Sequence, residues 1–413
     1  MGIFGKISNR ANMTDYPYGN NGGLFGGIPT KAGTDISEFN AMQLAVVWCC
    51  IKILAEDSAS LPLHLYRKLK GGGKERATDH PLYYLLHDQP NPEMTAFSFR
   101  EAYMAHLLSW GNGYAEIVKA GRGMVAGLWP ITPNRATPNR NSDGQIIYKI
   151  SLPQGGMTDL PKSQILHTPG LGFNGLIGYS PIGMAREAIG LGKALEEFGE
   201  TYFGNGTHPG VIVEHPGQLS KQAHSNLQTS LTSASSGLGK AHRLLLLEEG
   251  MKFQKIGIPP EEAQFLETRK FQNIDIGTRI YRIPPHMYGE MDRATFSNIE
   301  QQALDYVSKA LRPWLVRLEQ SFNMALLTPQ ERGTYFFEHL VDGLLRGDLR
   351  SRYSAYQIAK QSRFMTTNEI REIENMNPIE GEDKLDVTPN MTPAVQPNKK
   401  AKLKNNNQAA LEL

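Results

Sequence analysis

The sequence has only two cysteines among its 413 residues, and they are adjacent, Cys49 and Cys50. This scarcity excludes a disulfide framework and a cysteine-rich metal site, and the pair is typical of buried thiols in a reducing compartment. An excess of one charge sign is also missing, because 43 Lys and Arg face 41 Asp and Glu. The formal net charge of +2 gives no overall attraction to nucleic acid or to a membrane surface.

A long hydrophobic run is absent as well. The most apolar stretch, residues 41–55, is short and carries Gln43 and Lys52, so it does not fit a membrane span. The N-terminus lacks the charged-then-apolar pattern of a secretory signal. We therefore expect a soluble protein with no membrane partner, long enough for two or more domains with their own cores.

Residues 35–179 alternate between helical and strand-like patterns, after an N-terminal segment, 1–34, that is rich in Gly and Asn and predicts a flexible arm. Helical patterns cover residues 80–87 and 95–109, and a helical stripe runs from Met42 to Ile53. Strand patterns cover residues 60–66, 113–120, 125–130 and 146–150, with turn residues between them. The sequence predicts an α+β domain here.

Two glycine-rich segments resemble nucleotide-binding loops without fitting them. In residues 121–127 the third glycine lies one position later than in a dinucleotide-binding loop, and predicted strands lie on both sides. This pattern favours a hairpin turn. Near Gly239 and Lys240, Ala234 and Ala241 occupy positions where a phosphate-binding loop needs Gly and Ser or Thr. We expect no cofactor, no metal and no catalytic residue, because histidines such as His167, His208 and His286 are isolated in the sequence.

A long amphipathic helix is predicted from Ser180, with Pro181 at its first position. Its apolar residues recur at steps of four and three: Met184, Ala188, Leu191, Leu195, Phe198 and Tyr202. Glu196, Glu197 and Glu200 lie on the remaining surface. A solvated acidic face is the simplest interpretation of these three carboxylates.

A small α/β module is predicted between this helix and a second one, residues 261–281. It comprises strands at 210–214, 243–248 and 251–256 and a polar helix at 220–233. The polar helix offers Gln222, Asn226, Gln228 and Thr229 as candidate docking residues, and a merely solvated helix is equally compatible with the pattern.

A stiff connector, residues 282–297, follows the second helix. Pro284 and Pro285 end that helix, and Gly289 permits a sharp turn. Ser297 and Glu300 have the spacing of a capping box that would begin the next helix. A loop held between two helices is predicted, although a plain surface turn in a helical hairpin is the alternative.

The chain resembles the portal proteins of tailed double-stranded DNA bacteriophages, particularly those of long-tailed phages, from about Asp35 to about Asp386. The resemblance rests on the order and spacing of several motifs: residues 45–57 running into 61–66, then 111–115, 178–182, 283–289, and 311–314 with 318–319.

The resemblance implies a portal fold. Its parts would be a wing (35–179), a two-helix stem (180–205 and 259–281), a small α/β clip (206–258), a tunnel loop (282–297), a long kinked helix with the rest of the wing (298–349) and a short helical crown (350–387). Pro313 would kink the long helix. Residues 388–413 are expected to be a disordered tail, which is solubilising or, through its lysines, in contact with DNA.

The resemblance also implies a function. Family members form a ring, usually of twelve subunits, at one vertex of the viral head, and DNA is packaged and ejected through it. Double-stranded DNA, a terminase large subunit, a head-tail connector protein, and the major capsid and scaffolding proteins would be partners, and ATP hydrolysis would belong to the terminase.

We expect the tunnel loop to be a weak, sequence-independent gauge on the duplex. Its candidate residues are Met287, Tyr288, Glu290, Met291, Asp292 and Arg293, with Glu196, Glu197 and Glu200 as candidates for the stem lining. Nearly balanced charges would avoid a salt-dependent trap on moving DNA. Two alternatives remain open: a structural connector or minor capsid protein that never contacts DNA, and an enzyme whose site the sequence conceals.

Overall fold

The computed structural model describes residues 28–70, 72–204, 211–214, 217, 220–226, 229, 252–255, 262–291, 296–341, 349–374 and 376–385. The chain divides into two compact units, residues 1–341 and 342–413, and each is described by itself. Residues 1–27, the predicted strand 243–248 and the predicted tail 388–413 lie outside the described residues.

The described part of the first unit mixes helices with small sheets. The helices are α1 (Glu38–Ala41), α2 (Ala45–Ser60), α3 (Pro81–His87), α4 (Ala96–Trp110), α5 (Pro181–Met184), α6 (Arg186–Gly204), α7 (Glu262–Ile274), α8 (Phe296–Asp305) and α9 (Arg312–Leu326). The strands are β1 (Ile28–Pro29), β2 (Asp35–Ile36), β3 (Leu63–Lys68), β4 (Lys74–Arg76), β5 (Asn112–Lys119), β6 (Val125–Ile131), β7 (Ala136–Arg140), β8 (Ile146–Ser151), β9 (Met157–Pro161), β10 (Ile165–Pro169), β11 (Val211–Glu214), β12 (Lys252–Lys255) and β13 (Tyr335–His339).

The described strands pair antiparallel. Three-stranded sheets have the orders β13-β3-β4, β10-β5-β6 and β7-β8-β9, and β1 pairs with β2 and β11 with β12. Residues 121–123 form a tight 3₁₀ turn between β5 and β6, so the predicted hairpin at this glycine-rich segment is confirmed. The pairing of β13 with β3, in which Phe337 lies opposite Leu65, joins distant parts of the sequence.

The main hydrophobic core forms where α2 packs on α4. Leu54, Phe99 and Leu107 are each fully buried there. Cys50 is also fully buried, and burial raises the pKa of its thiol to about 12, while Cys49 is half-buried. The pair belongs to the core helix, as the sequence predicted, and both thiols are free.

The strands β1 and β2 form a hairpin that packs on α6. Thr30 and Thr34 are buried, and Thr34 Oγ1 donates a hydrogen bond to the Gly190 carbonyl at 3.1 Å. The backbone N–H of Lys31 donates to Glu187 Oε2 at 3.1 Å. Residues 28–34, which the sequence predicted to belong to a flexible arm, are therefore held in place by contacts with α6.

The predicted amphipathic helix is divided into α5 and α6 by a turn at Ala185. Ser180 Oγ caps α5 by accepting a hydrogen bond from the Gly183 N–H at 2.9 Å. The side of α6 that packs on the protein carries Ile189, Gly192 and Gly199. Three residues of the predicted apolar stripe are nevertheless about half exposed: Met184 is 55%, Leu191 45% and Phe198 46% exposed.

Both helices that flank the predicted loop contain π-helical turns. Residues Asp275–Ile280 continue α7, and Tyr306–Leu311 connect α8 to α9. Pro313 has no N–H to offer the Lys309 carbonyl, and Arg282 Nη1 donates to that oxygen at 3.4 Å. The helical ladder is thus disturbed beside Pro313, where the sequence predicted a kink. Because Phe296 is already helical, Ser297 lies inside α8, and its predicted role as the residue before the helix is wrong.

The second unit contains α10 (Leu349–Gln361) and α11 (Thr367–Ile373). Thr366 and Glu369 form a capping box at the start of α11. Tyr356 of α10 donates a hydrogen bond to the Glu374 carboxylate at 2.8 Å, and Arg352 lies 3.0 Å from the same carboxylate. This polar contact joins the two helices.

Candidate functional site

The loop that follows α7 is anchored at its start. Ile283 is completely buried, and its N–H donates to the Gly277 carbonyl at 3.0 Å. Arg282 has a φ of 60°, a left-handed conformation that is costly for a non-glycine residue. Pro284 and Pro285 then stiffen the chain, as the sequence predicted. The chain leaves the helix at one fixed point.

Met287 and Tyr288 pack back onto the protein. Residues Pro285–Tyr288 form a 3₁₀ turn, and both side chains are half-buried against the main core. The Tyr288 ring covers Gly277 so closely that a Cβ added there would lie 2.5 Å from Cε1. The Tyr288 hydroxyl pairs with Thr278 Oγ1 at 3.1 Å, and burial raises the pKa of Tyr288. This half of the loop therefore packs against the protein and does not project freely. We call Met287 and Tyr288 the foot of the loop.

The described tip of the loop begins at Gly289. A φ of +96° and open space around its α-carbon allow the sharp turn that the sequence predicted. Glu290 lies 3.5 Å from Lys270 of α7, so its charge is partly balanced within the chain. Met291 is 61% exposed. Asp292 and Arg293 lie outside the described residues.

The two π-helical turns pack on α2 and so support the helices on either side of the loop. Tyr306 donates a hydrogen bond to Asp57 Oδ2 of α2 at 2.6 Å. Burial raises the pKa of both Tyr306 and Asp57, which favours a neutral tyrosine as the donor. His286 Nδ1 donates to Gln302 Oε1 of α8 at 2.9 Å and joins the loop to its second helix. The sequence motifs did not indicate these braces, because each joins distant segments.

The three predicted stem glutamates have different surroundings. Glu196 pairs with Arg269 of α7 at 3.1 Å, and Lys193 lies 4.0 Å from Glu197 on the same helix. Glu200 is exposed. Between the helices, Gly199 lies against the Phe265 ring, and Phe265 also contacts the Phe198 ring at a centroid distance of 5.6 Å.

The candidate docking residues lie near the β11–β12 pair in sequence. Residues 221–226 are helical, and Gln222 and Asn226 are exposed. Thr229 is exposed too, although its Oγ1 donates to the Ser225 carbonyl at 2.9 Å. Gln228 lies outside the described residues. Among the helices that the structure describes, none combines the length and apolarity that crossing a bilayer requires.

A family model for the phage portal protein matches residues 45–375, which is most of the chain. The chain belongs to the phage portal protein family. It is 31% identical to the portal protein of Enterobacteria phage HK97 over 85% of this chain and 82% of that protein. It is 32% identical to the probable portal protein of Streptomyces phage phiC31, over 86% of this chain and 79% of the relative.

Two solved structures share the portal fold. A chain in the neck of the native gene transfer agent particle, computed with C12 symmetry, has a TM-score of 0.56 and 20% identity, covering 83% of this portal chain and 94% of the other. An HK97 family phage portal protein from Corynebacterium diphtheriae has a TM-score of 0.57 and 13% identity, covering 76% and 98%. The portal chain therefore has a mixed helix and sheet fold of the kind found in portal structures.

Proposed function

We propose that copies of this chain form a ring at one vertex of a phage head and that double-stranded DNA passes along its axis during packaging and ejection. Family membership supports this role, and the C12 neck that contains a similar chain supports a ring of twelve. Identical subunits in a closed cyclic ring must present two different, complementary surfaces. Such a ring would be a virion component with a structural rather than an enzymatic role.

The parts of the ring are assigned by the resemblance. Residues 35–179 form the wing, with the rest of the wing and the long helix in 298–349. Residues 180–205 and 259–281 form the stem, 206–258 the clip, 282–297 the tunnel loop and 350–387 the crown. The pairing of β11 with β12 and the packing of α6 on α7 support the clip and the stem.

We infer that the anchored loop contacts the DNA as it passes along the ring axis. Its foot, Met287 and Tyr288, positions the tip, and the tip residues Glu290, Met291, Asp292 and Arg293 meet the duplex. A nearly neutral tip with the soft, exposed Met291 can touch DNA without accumulating phosphate contacts around the ring. On the stem, Glu197 and Glu200 would repel the DNA backbone, whereas Glu196 is partly balanced by Arg269.

The clip would dock the terminase large subunit during packaging and a head-tail connector protein afterwards. Gln222, Asn226, Gln228 and Thr229 are the candidate docking residues, and the exposure of Gln222, Asn226 and Thr229 supports this assignment. ATP hydrolysis would belong to the terminase. The wing and crown would contact the major capsid and scaffolding proteins.

The test starts with electron microscopy of the purified protein, in which we expect rings with an axial hole wide enough for a duplex. Met291→Lys should then slow packaging and increase DNA retention at low salt, because a cation at every tip adds a phosphate contact per subunit. The double variant Glu290→Lys with Asp292→Lys should act in the same direction. Met324→Lys, at a methionine of α9 that is 50% exposed, is the matched control.

Two results would contradict the proposal at different levels. If rings of Met291→Lys and of the double variant package DNA at the normal rate, the loop does not act as a gauge on the duplex. That result would favour loop side chains that never contact DNA. A folded protein that forms no ring at any concentration would contradict the channel itself.

A further inference from the structure

Three bulky apolar side chains lie seven residues apart along α5 and α6, and each is about half exposed, although Phe198 also contacts the Phe265 ring of α7. Met184 is 55%, Leu191 45% and Phe198 46% exposed, and we call this row the α6 seam. Within α6, the seven-residue spacing keeps Leu191 and Phe198 on nearly one line, since 3.6 residues make a turn. Met184 precedes them on α5, before the turn at Ala185. An apolar line of this kind normally packs against another helix.

The exposure of the seam follows from how α6 is packed. The residues that face α7 and the body of the protein include Gly192 and Gly199. A Cβ added at Gly192 would lie 3.2 Å from Leu44 Cδ2, and one at Gly199 would lie 3.1 Å from the Phe265 ring. The inner side of the helix is therefore filled without the bulky residues, and the sequence places those on the outer side.

A complementary apolar residue lies on α7. Phe265 contacts the Phe198 ring, and the next residue, Leu266, is turned by about 100° around the helix. Because α6 and α7 run antiparallel, this rotation places Leu266 on the side of the helix pair opposite the α6 seam. Leu266 is 60% exposed. Because it follows Phe265, which contacts Phe198, it lies at nearly the same height along the helix pair as Phe198.

We infer that the α6 seam packs against a second copy of this chain, on the side of α7 that carries Leu266. This inference rests on the proposed ring and names the surface that closes it. A ring uses one surface on each subunit and a different one on the next, and rotation about its axis leaves heights unchanged. With the helix pair running along the ring axis, Phe198 of one copy meets Leu266 of the next, and Leu191 packs further along the same seam.

This arrangement separates the seam from the neighbouring acidic residues. Glu197 precedes Phe198 and is turned by about 100° from it. The carboxylate therefore stays outside the contact between copies, while the apolar row is covered. Covering three large apolar side chains in every repeat removes an exposed surface that a lone soluble subunit would otherwise carry.

The first experiment compares Leu191→Glu with Glu197→Lys by light scattering and electron microscopy at equal protein concentration. Leu191→Glu should reduce the ring fraction by about tenfold or more, because it places a carboxylate in an apolar contact in every repeat. Glu197→Lys, a charge change on the same helix, should leave the rings intact. The melting temperature of the Leu191→Glu subunit should stay near the wild-type value, since Leu191 is already half exposed in one subunit.

A second experiment maps the contact directly in wild-type-like rings. A photo-reactive amino acid at position 191 should cross-link to residues 262–280 of another copy, and one at position 197 should not. Intact rings for Leu191→Glu, or cross-links from 197 and none from 191, would overturn the seam while leaving the ring in place. A wild-type chain that stays monomeric would overturn both the ring and the seam.

Discussion

Individual residues decide how the loop after α7 is held. Tyr288 covers Gly277, and Tyr306 donates a hydrogen bond to Asp57 of α2, so aromatic side chains hold the first half of the loop and the π-helical turn that follows α8. A larger residue under one of these aromatic rings should displace the ring and disturb the loop without changing any residue of its tip. Gly277 is the position at which this can be done with one methyl group.

Gly277→Ala should release the foot of the loop. The new Cβ would lie 2.5 Å from the Tyr288 ring, so the ring must move, at a cost of about 1–3 kcal/mol typical of an overfilled core site. We expect a lower urea midpoint and faster hydrogen exchange in residues 283–291.

Gly333→Ala is the control, because a Cβ there meets nothing within 4 Å. It should change neither the urea midpoint nor exchange in the loop. Equal behaviour of the two variants would show that Tyr288 does not hold the loop.

Whole elements were predicted from the sequence where the pattern is local. The helix Ala45–Ser60, the helix Ala96–Trp110 and the β5–β6 hairpin agree with their periodicity and turn residues. The π-helical turns and the pairing of β13 with β3 were not predicted, because both depend on contacts between distant segments.

The same division applies to the candidate site. Pro284, Pro285 and Gly289 specify a loop by their own backbone restrictions, and the sequence was sufficient to find it. The close packing of Tyr288 depends on Gly277 in the preceding helical segment, which no local pattern reports. The exposure of apolar residues along α6 could not be predicted for a similar reason. An amphipathic pattern does not show which surface covers the apolar face of a helix.

At the level of elements, Gly190→Val should detach the β1–β2 hairpin from α6. A Cβ at this position would lie 2.7 Å from Thr30 Cγ2. Hydrogen exchange in residues 28–36 should become faster, whereas exchange in α4 should change little because α4 packs mainly on α2 and β5.

Glu200→Val provides the comparison, because it introduces the same β-branched residue at an exposed position of the same helix. Unchanged exchange in residues 28–36 of Gly190→Val would mean that the contact with Thr30 does not fix the hairpin.

At the scale of the whole molecule, buried histidines link stability to pH. Burial lowers the pKa of His64 and of His106 to about 4 and that of His167 to about 3. An unfolded histidine titrates near 6.5, so the unfolded chain binds more protons below that pH. This stability is therefore fully present above pH 6.5, and it is lost progressively as the pH falls from 6.5 toward the lowered pKa values.

We expect the urea midpoint to fall steadily between pH 6.5 and 4.5. His106→Phe should make this decline shallower, because it removes one buried titrating ring while keeping an aromatic neighbour for Trp110. His224→Phe, at an exposed position, should leave the slope unchanged. Parallel slopes for wild type and His106→Phe would exclude His106 as a source of the acid sensitivity.

The pairing of β13 with β3 sets the order in which the subunit can be completed during synthesis. Arg67 of β3 and Tyr335 of β13 are hydrogen-bonded across 268 positions of sequence. A ribosome that adds about 5–20 residues per second needs roughly 15–50 s to make that interval. During this time β3 has β4 on one side and an open edge on the other, so a nascent subunit is exposed to wrong strand pairing until β13 joins this sheet.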